Sequence, residues 1–326
     1  MSELSVHELE RSRTPGQRLH LRERLPQGKA PEAVERAVVC MHGATMAGGL
    51  FDLPVAGYSL LQRLAGAGFA AYALDARGYG RSGRPPQMAE PADRNAPFAR
   101  TAEVIEDLAE AFDFVRARTG LATPSLIGYS WGTVISGLFV TSYLGSVDRL
   151  VLAAPVYSGR NEPWLKVVTD PDDAERFNPA LGAYRMVTEA ETIKRWDGQI
   201  VPADRGEWRD PAMLDALVAD FMAGDPEAGK LDPPAVRVPN GVLRDVFEIF
   251  NERPIYQAAE ITMPTLVVRG ADDPESTDPD ARGLFDTLGA AEKRYVVIGN
   301  GSHFLFGERQ GWQLYDEIER FLLPAR

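Results

Sequence analysis

The sequence predicts an α/β fold: a mostly parallel central sheet with helices on both faces plus an inserted helical cap. Three observations predict it. Short, continuous apolar runs recur along the chain, helix-spaced segments separate them, and loops rich in Gly, Asp and His follow the ends of the runs. Strands covered on both faces read as unbroken apolar runs rather than as alternation. Strand and helix in repetition are the pattern of a parallel sheet. A length of 326 residues suffices for one large α/β domain carrying an insertion.

Residues 4–25 alternate loosely between apolar and charged side chains around Thr14-Pro15-Gly16-Gln17, which predicts a β-hairpin at a sheet edge. Ala37-Val38-Val39-Cys40-Met41 is the first buried strand, and His42-Gly43-Ala44-Thr45-Met46 is the loop at its C-terminal end. Leu60–Ala67 reads as a helix and Phe69–Leu74 as the next strand. The glycine-rich stretch from Asp75 to Ser82 reads as a structural turn tied by an Asp–Arg contact. Val104, Ile105, Leu108, Phe112 and Val115 have helical spacing within Thr101–Arg118. Ser125-Leu126-Ile127 is a strand, Thr133–Tyr143 a helix, and Leu150–Pro155 a further strand.

Between Val156 and Glu260 the rhythm breaks. Helix-like segments at Ala183–Trp196, Ala212–Met222 and Val242–Phe250 alternate with Pro- and Gly-containing loops, and many of the large aromatics fall here. The expected division is a core of residues 1–155 and 261–326 with residues 156–260 as a helical cap over the crevice where such sheets bind ligands. Pro264–Val268 and Tyr295–Ile298 resume the strands, with helices at Pro279–Leu288 and Trp312–Leu323.

Composition narrows the function classes. A net charge of -12 disfavours nucleic acid and anionic membrane as partners. The single cysteine, Cys40, excludes an internal disulfide and a cysteine-based metal cluster. The first residues lack a basic region followed by an apolar core, so no secretory signal is expected and the cytoplasm is the expected location.

The chemistry gathers at Gly128-Tyr129-Ser130-Trp131-Gly132, where strand, sharp turn and helix meet as a nucleophile elbow requires. A serine hydroxyl needs a base, and the base needs a third group to hold its tautomer. Of the four histidines, His7 and His20 fall in the hairpin and His42 precedes an early loop. His303, after the last strand, is the candidate base. Asp272 and Asp273 share the loop after the preceding strand. Only one can face His303, and Asp273 is preferred. The Trp131 N–H and the Ala44 N–H, with Thr45 as its neighbour alternative, are the candidate oxyanion donors. His42 is expected to brace that loop. Together with Thr45, Met46, Tyr157, Trp164 and Phe304 it makes up the candidate substrate pocket.

These motifs, His42-Gly43, Asp75 through Ser82, Gly128 through Gly132, Gly270-Ala271-Asp272-Asp273 and Gly301-Ser302-His303-Phe304, resemble in kind and order those of the α/β-hydrolase superfamily, of the capped esterase, lactonase and C–C hydrolase type. The resemblance covers about residues 35–155 and 260–326. It implies the α/β-hydrolase fold and a Ser130–His303–Asp273 triad, and its usual placing of the acid three residues after the glycine favours Asp273. It implies no metal and no organic cofactor. The expected activity is hydrolysis of a small, uncharged, apolar carboxylic ester through an acyl-enzyme. A lactone, a thioester or a C–C bond next to a ketone are alternatives, and a non-catalytic ligand-binding protein is a further one. Haloalkane and epoxide chemistry is disfavoured, because relatives doing it carry a carboxylate where this chain has Ser130.

Overall fold

The computed structural model describes residues 2–10, 16–200 and 205–323. The chain opens with β1 (Leu4–Glu10) and β2 (Arg18–Arg24), paired antiparallel as a hairpin. Of the expected turn, Thr14 and Pro15 lie outside the described residues, and Gly16 has φ +83°. Next come β3 (Arg36–Met41), α1 (Leu60–Gly66), β4 (Phe69–Asp75), α2 (Thr101–Thr119), β5 (Ser125–Tyr129), α3 (Trp131–Ser142) and β6 (Leu150–Ala153).

Residues 156–260 hold α4 (Glu162–Val168), β7 (Thr169–Asp170), β8 (Asp173–Phe177), β9 (Tyr184–Thr188), α5 (Glu189–Asp197), α6 (Pro211–Ala223), β10 (Ala235–Pro239) and α7 (Gly241–Phe250). The chain closes with β11 (Thr265–Gly270), α8 (Asp278–Thr287), β12 (Lys293–Ile298) and α9 (Gly311–Leu322). No helix among the described residues is long and apolar enough to cross a membrane.

Among the described residues, eight strands form one sheet in the order β1-β2-β4-β3-β5-β6-β11-β12. The hairpin joins antiparallel through β2 and β4, and the remaining pairs are parallel. Val38, Val39, Leu126, Ile127, Val151 and Val267 are all fully buried. Each such side chain contributes on the order of 1.5–3 kcal/mol when removed from water, which is why these strands are apolar through their middles. From β3 the chain steps to β4 on one side and to β5 on the other. Their C-terminal ends therefore open a crevice at the point where the strand order reverses. The loop after β3 and the turn after β5 lie side by side there, with Met41 in register with Gly128.

The segment 156–260 is not purely helical, as its sequence suggested. Ala183–Trp196 splits: the β9 strand pairs with β10 in a two-stranded antiparallel sheet, and helix begins only at Glu189. Thr188 explains the switch. Its side chain accepts the Glu191 N–H while the Glu191 carboxylate returns to the Thr188 N–H, a capping box that sets the helix start. A second small sheet pairs β7 with β8. The segment is tied to the rest by Asp245 on α7. Its carboxylate accepts from the Thr101 N–H and hydroxyl at the start of α2 and from the Trp131 indole N–H.

Glycines around the turn after β5 are required by close approach. A Cβ at Gly128 would lie 2.5 Å from the Gly132 carbonyl oxygen, and one at Gly132 would lie 2.3 Å from that of Met41. Both neighbours are backbone, which cannot swing aside. Gly128→Ala is expected to cost about 1–3 kcal/mol of stability, measurable as a lower denaturant midpoint at unchanged slope.

Candidate active site

Ser130 caps the N-terminus of α3 with φ +55° and ψ −124°. That left-handed value is strained for a side-chain-bearing residue and is held by the strand before and the helix after. The Ser130 N–H donates to the Ala153 carbonyl at 2.9 Å, and its carbonyl accepts the Thr133 N–H at 2.8 Å. The hydroxyl is thereby lifted out of both elements.

Three side chains meet above the sheet edge. His303 Nε2 stands 2.7 Å from Ser130 Oγ, and His303 Nδ1 stands 2.8 Å from Asp273 Oδ2. Asp273 is buried, whereas Asp272 is exposed. Asp273 Oδ1 accepts the N–H groups of Glu275 and Ser276, each at 2.8 Å, so Oδ2 alone faces the imidazole. Because a carboxylate only accepts, His303 Nδ1 carries the proton and Nε2 is free to accept from Ser130. Tyr129 donates its hydroxyl to the His303 carbonyl and stacks on the ring, fixing the loop from the strand side.

The Trp131 N–H lies at the first position of α3, where no intrahelical acceptor exists. A Cβ at Gly43 would touch Ser130 Cβ at 3.0 Å, so the loop after β3 passes close over the serine. Ala44, next in that loop, is oriented through its carbonyl, which accepts from Arg185 Nη2 at 3.0 Å and from the Tyr79 hydroxyl at 3.3 Å.

His42 is fully buried and braces the loops rather than lining a cavity. Its Nε2 accepts the Ala76 N–H at 3.0 Å, leaving Nδ1–H to donate to the Gly43 carbonyl at 2.8 Å. Burial holds its pKa below the usual range, so the ring is the neutral tautomer this pairing needs. Asp75 closes the same region by accepting the Gly48 and Arg81 N–H groups. The expected Asp–Arg tie of this turn thus runs through the Arg81 backbone, while the Arg77 guanidinium pairs with Asp107. His20 sits in register with Asp75, nearer this edge than its place in the hairpin suggested, but its ring pairs with Glu8.

A narrow pocket of about 30 Å³ lies directly at Ser130, His303 and Ala44. It adjoins a cavity of about 460 Å³ walled largely by residues 164–195 and 240–243. Thr45, Met46, Arg195 and Phe304 line both, so the two communicate past them. Of the sequence-predicted pocket residues, Thr45, Met46, Trp164 and Phe304 line these spaces. His42 and Tyr157 do not. Tyr157 is buried against Tyr256, and its hydroxyl accepts the Ala258 N–H.

The sequence reading missed a second layer around His303. Arg195 Nη2 donates to both carboxylate oxygens of Glu275 at 2.7 Å, and Gln199 Nε2 donates to Glu275 Oε1 at 2.9 Å. Glu275 Oε2 is 3.4 Å from His303 Nε2. Burial alone would depress the His303 pKa, but the Asp273 and Glu275 carboxylates outweigh it and hold it above the ordinary value. Only the neutral ring can accept the Ser130 proton, so with His303 as the candidate base activity is expected to fall as pH drops through that raised pKa. Glu275→Gln removes one anion and leaves Arg195 unneutralised, and both changes disfavour the imidazolium. The acid limb of the kcat/KM profile is therefore expected to move to lower pH, which a pH–rate series on the variant measures directly. Nothing in the local pattern of α5 or of the residues just after it marked Arg195 or Gln199. The one available signal for Glu275 was its place two residues after Asp273.

A family model described as "Alpha/beta hydrolase family" matches residues 38–312. Among curated proteins, the chain is similar to a monoacylglycerol lipase of Mycolicibacterium smegmatis, with 24% identity over 306 residues and 90% of each chain covered. Among solved structures it is similar to a thermophilic esterase from Thermogutta terrifontis, at TM-score 0.64 and 16% identity, covering 98% of both chains. It is also similar to an enol-lactonase from Burkholderia xenovorans LB400, at TM-score 0.65 and 17% identity, covering 97% of this chain and 99% of that one. With a family match over most of its length and the sheet order described above, this chain belongs to the alpha/beta hydrolase family.

Proposed function

We propose that this chain is a serine hydrolase that cleaves a carboxylic ester of a small molecule through an acyl-enzyme. The observation that carries this reading is the unbroken chain Asp273 Oδ2, His303 Nδ1, His303 Nε2, Ser130 Oγ, with both links between 2.7 and 2.8 Å. Ser130 attacks the ester carbonyl as His303 takes its proton. The N–H groups of Trp131 and Ala44 hold the oxygen on which charge develops. The tetrahedral intermediate collapses, His303 returns its proton to the departing alcohol, and Ser130 is left acylated. A water then gives a proton to His303, attacks the acyl carbon and releases the acid, and Ser130 recovers its proton. Asp273 holds the tautomer and supports the imidazolium at each step.

In this reading residues 156–260 serve as the cap, since they wall the larger cavity over the sheet edge. The names of the similar monoacylglycerol lipase and esterase favour an ester over the alternatives. The enol-lactonase neighbour keeps a lactone in the substrate panel.

The test is labelling with a fluorophosphonate probe followed by peptide mapping. Modification is expected at Ser130. Folded protein that takes up no probe would remove the enzyme reading. A panel of p-nitrophenyl esters, lactones and acyl thioesters then separates the substrate classes.

A further inference from the structure

Arg185, on β9, puts its guanidinium at the wall of the larger cavity, beside the loop that passes over Ser130. Its Nη1 donates to the Pro239 carbonyl and to Asn240 Oδ1, both at 3.1 Å. Its Nη2 donates to the Ala44 carbonyl at 3.0 Å and to Thr45 Oγ1 at 3.3 Å. Every one of these acceptors is neutral. Among the described residues Arg185 has no carboxylate partner, and no bond to its Nε–H is found there. A guanidinium withdrawn from bulk water without an anion is costly, and buried charges are ordinarily paired.

Arg195 approaches the same point from α5. Its Nη1 lies 3.4 Å from Thr45 Oγ1, while its Nη2 is engaged by Glu275. Two guanidinium groups therefore converge on one hydroxyl, and a single carboxylate serves the pair. At Thr45 one guanidinium is paired with a carboxylate and the other is not, and the next carboxylate, Asp273, is engaged by His303. Burial, with the neighbouring Arg195 charge behind it, depresses the Arg185 pKa to about 10, still well above neutrality, so the group stays charged. The rest of the cavity wall is mainly apolar, with Trp164, Leu181, Val187, Leu243 and Phe304. The acidic residue of this wall, Glu191, is exposed and spends its carboxylate on the Thr188 cap.

We infer that this junction binds the free carboxylate of a substrate whose other end is the ester presented to Ser130, with Arg185 as its counter-ion. The substrate class is then the half-ester of a short dicarboxylic acid, because Thr45 directly follows Ala44 and so the charge must sit within a few bonds of the scissile carbonyl. This rests on the ester-hydrolase reading of Ser130 and refines its substrate. It also replaces the uncharged substrate expected from the sequence, since the charged side chains that reach Thr45 are basic.

The experiment pairs mono-p-nitrophenyl glutarate with p-nitrophenyl pentanoate, its near-isosteric neutral counterpart, and adds calorimetric titration of glutarate into the wild-type protein. Wild type is expected to show kcat/KM at least tenfold higher for the glutarate half-ester, and to bind glutarate. In Arg185→Gln the ratio of the two kcat/KM values should fall at least tenfold through KM, and glutarate binding should weaken similarly. Arg185→Lys, which keeps the charge, should recover a substantial part of the ratio and guards against a folding artefact. Equal losses for both esters in Arg185→Gln would make the residue a brace of the Ala44 loop and overturn the proposal. Turnover of the neutral ester without preference for the anionic one, or without glutarate binding, would overturn it while leaving the ester reading standing. Arg185-dependent glutarate binding in a protein that turns over neither ester would support the anion site and remove the ester reading.

Discussion

Ser130→Ala is expected to lower kcat for an activated ester by about 10⁶-fold, the scale at which removing a nucleophile from a serine triad operates. The residual rate over water would come from the Trp131 and Ala44 N–H groups and from binding alone. The fold should tolerate the change. Alanine meets the same backbone strain at φ +55° as serine does. The side-chain bond lost is the one to His303, whose ring remains held by Asp273 and by stacking on Tyr129. Stopped-flow and steady-state assays with p-nitrophenyl esters check the loss, and thermal melting checks the fold. Retention of activity within tenfold would take the nucleophile role away from Ser130.

Asp273→Asn is expected to cost about 10⁴-fold in kcat, because it imposes the wrong histidine tautomer. The geometry says why the amide cannot escape by turning over. The position of Oδ1 receives two backbone N–H donors, from Glu275 and Ser276, and only an oxygen can sit there. The amide nitrogen must then face His303 Nδ1 and donate to it. That drives the imidazole proton to Nε2, where it points at Ser130 Oγ and blocks proton abstraction. Asp272→Asn serves as the control: its side chain is exposed, and activity should stay within about threefold. A larger loss at Asp272 than at Asp273 would reassign the acid. Asp273→Asn should also leave fluorophosphonate labelling slow rather than absent, since Ser130 itself is unchanged.

These two expectations concern the reacting atoms, whereas the substitutions at Glu275 and Arg185 concern what surrounds them. Glu275 acts through the protonation of His303 and should show in the pH profile. Arg185 acts on the substrate's charge and should show in the ratio of two esters. The two readouts differ in kind, a pH profile against a ratio of esters, so each substitution is judged on its own measurement.

The sequence by itself determined the sheet, the turn at Ser130 and the order of serine, acid and histidine along the chain. Those features are local. A buried strand writes itself as an apolar run, a strained turn demands its flanking glycines, and a loop at a strand's end is legible from the strand. The tertiary structure alone decided which partners meet across distance. Arg195 and Glu275 are 80 residues apart and Arg185 and Ala44 are 141 apart. No periodicity in the sequence records such a contact. The same holds for Asp245, which reaches 144 residues back to cap α2, and for the strand at Tyr184–Thr188 that helical spacing concealed. His42 and Tyr157 were placed in the pocket by position and left outside it by packing, because whether a side chain faces a cavity depends on the elements that close over it. Composition was silent on the cavity for a related reason. Net charge sums over the whole surface, whereas the substrate meets the few side chains turned inward, and at Thr45 those are two arginines.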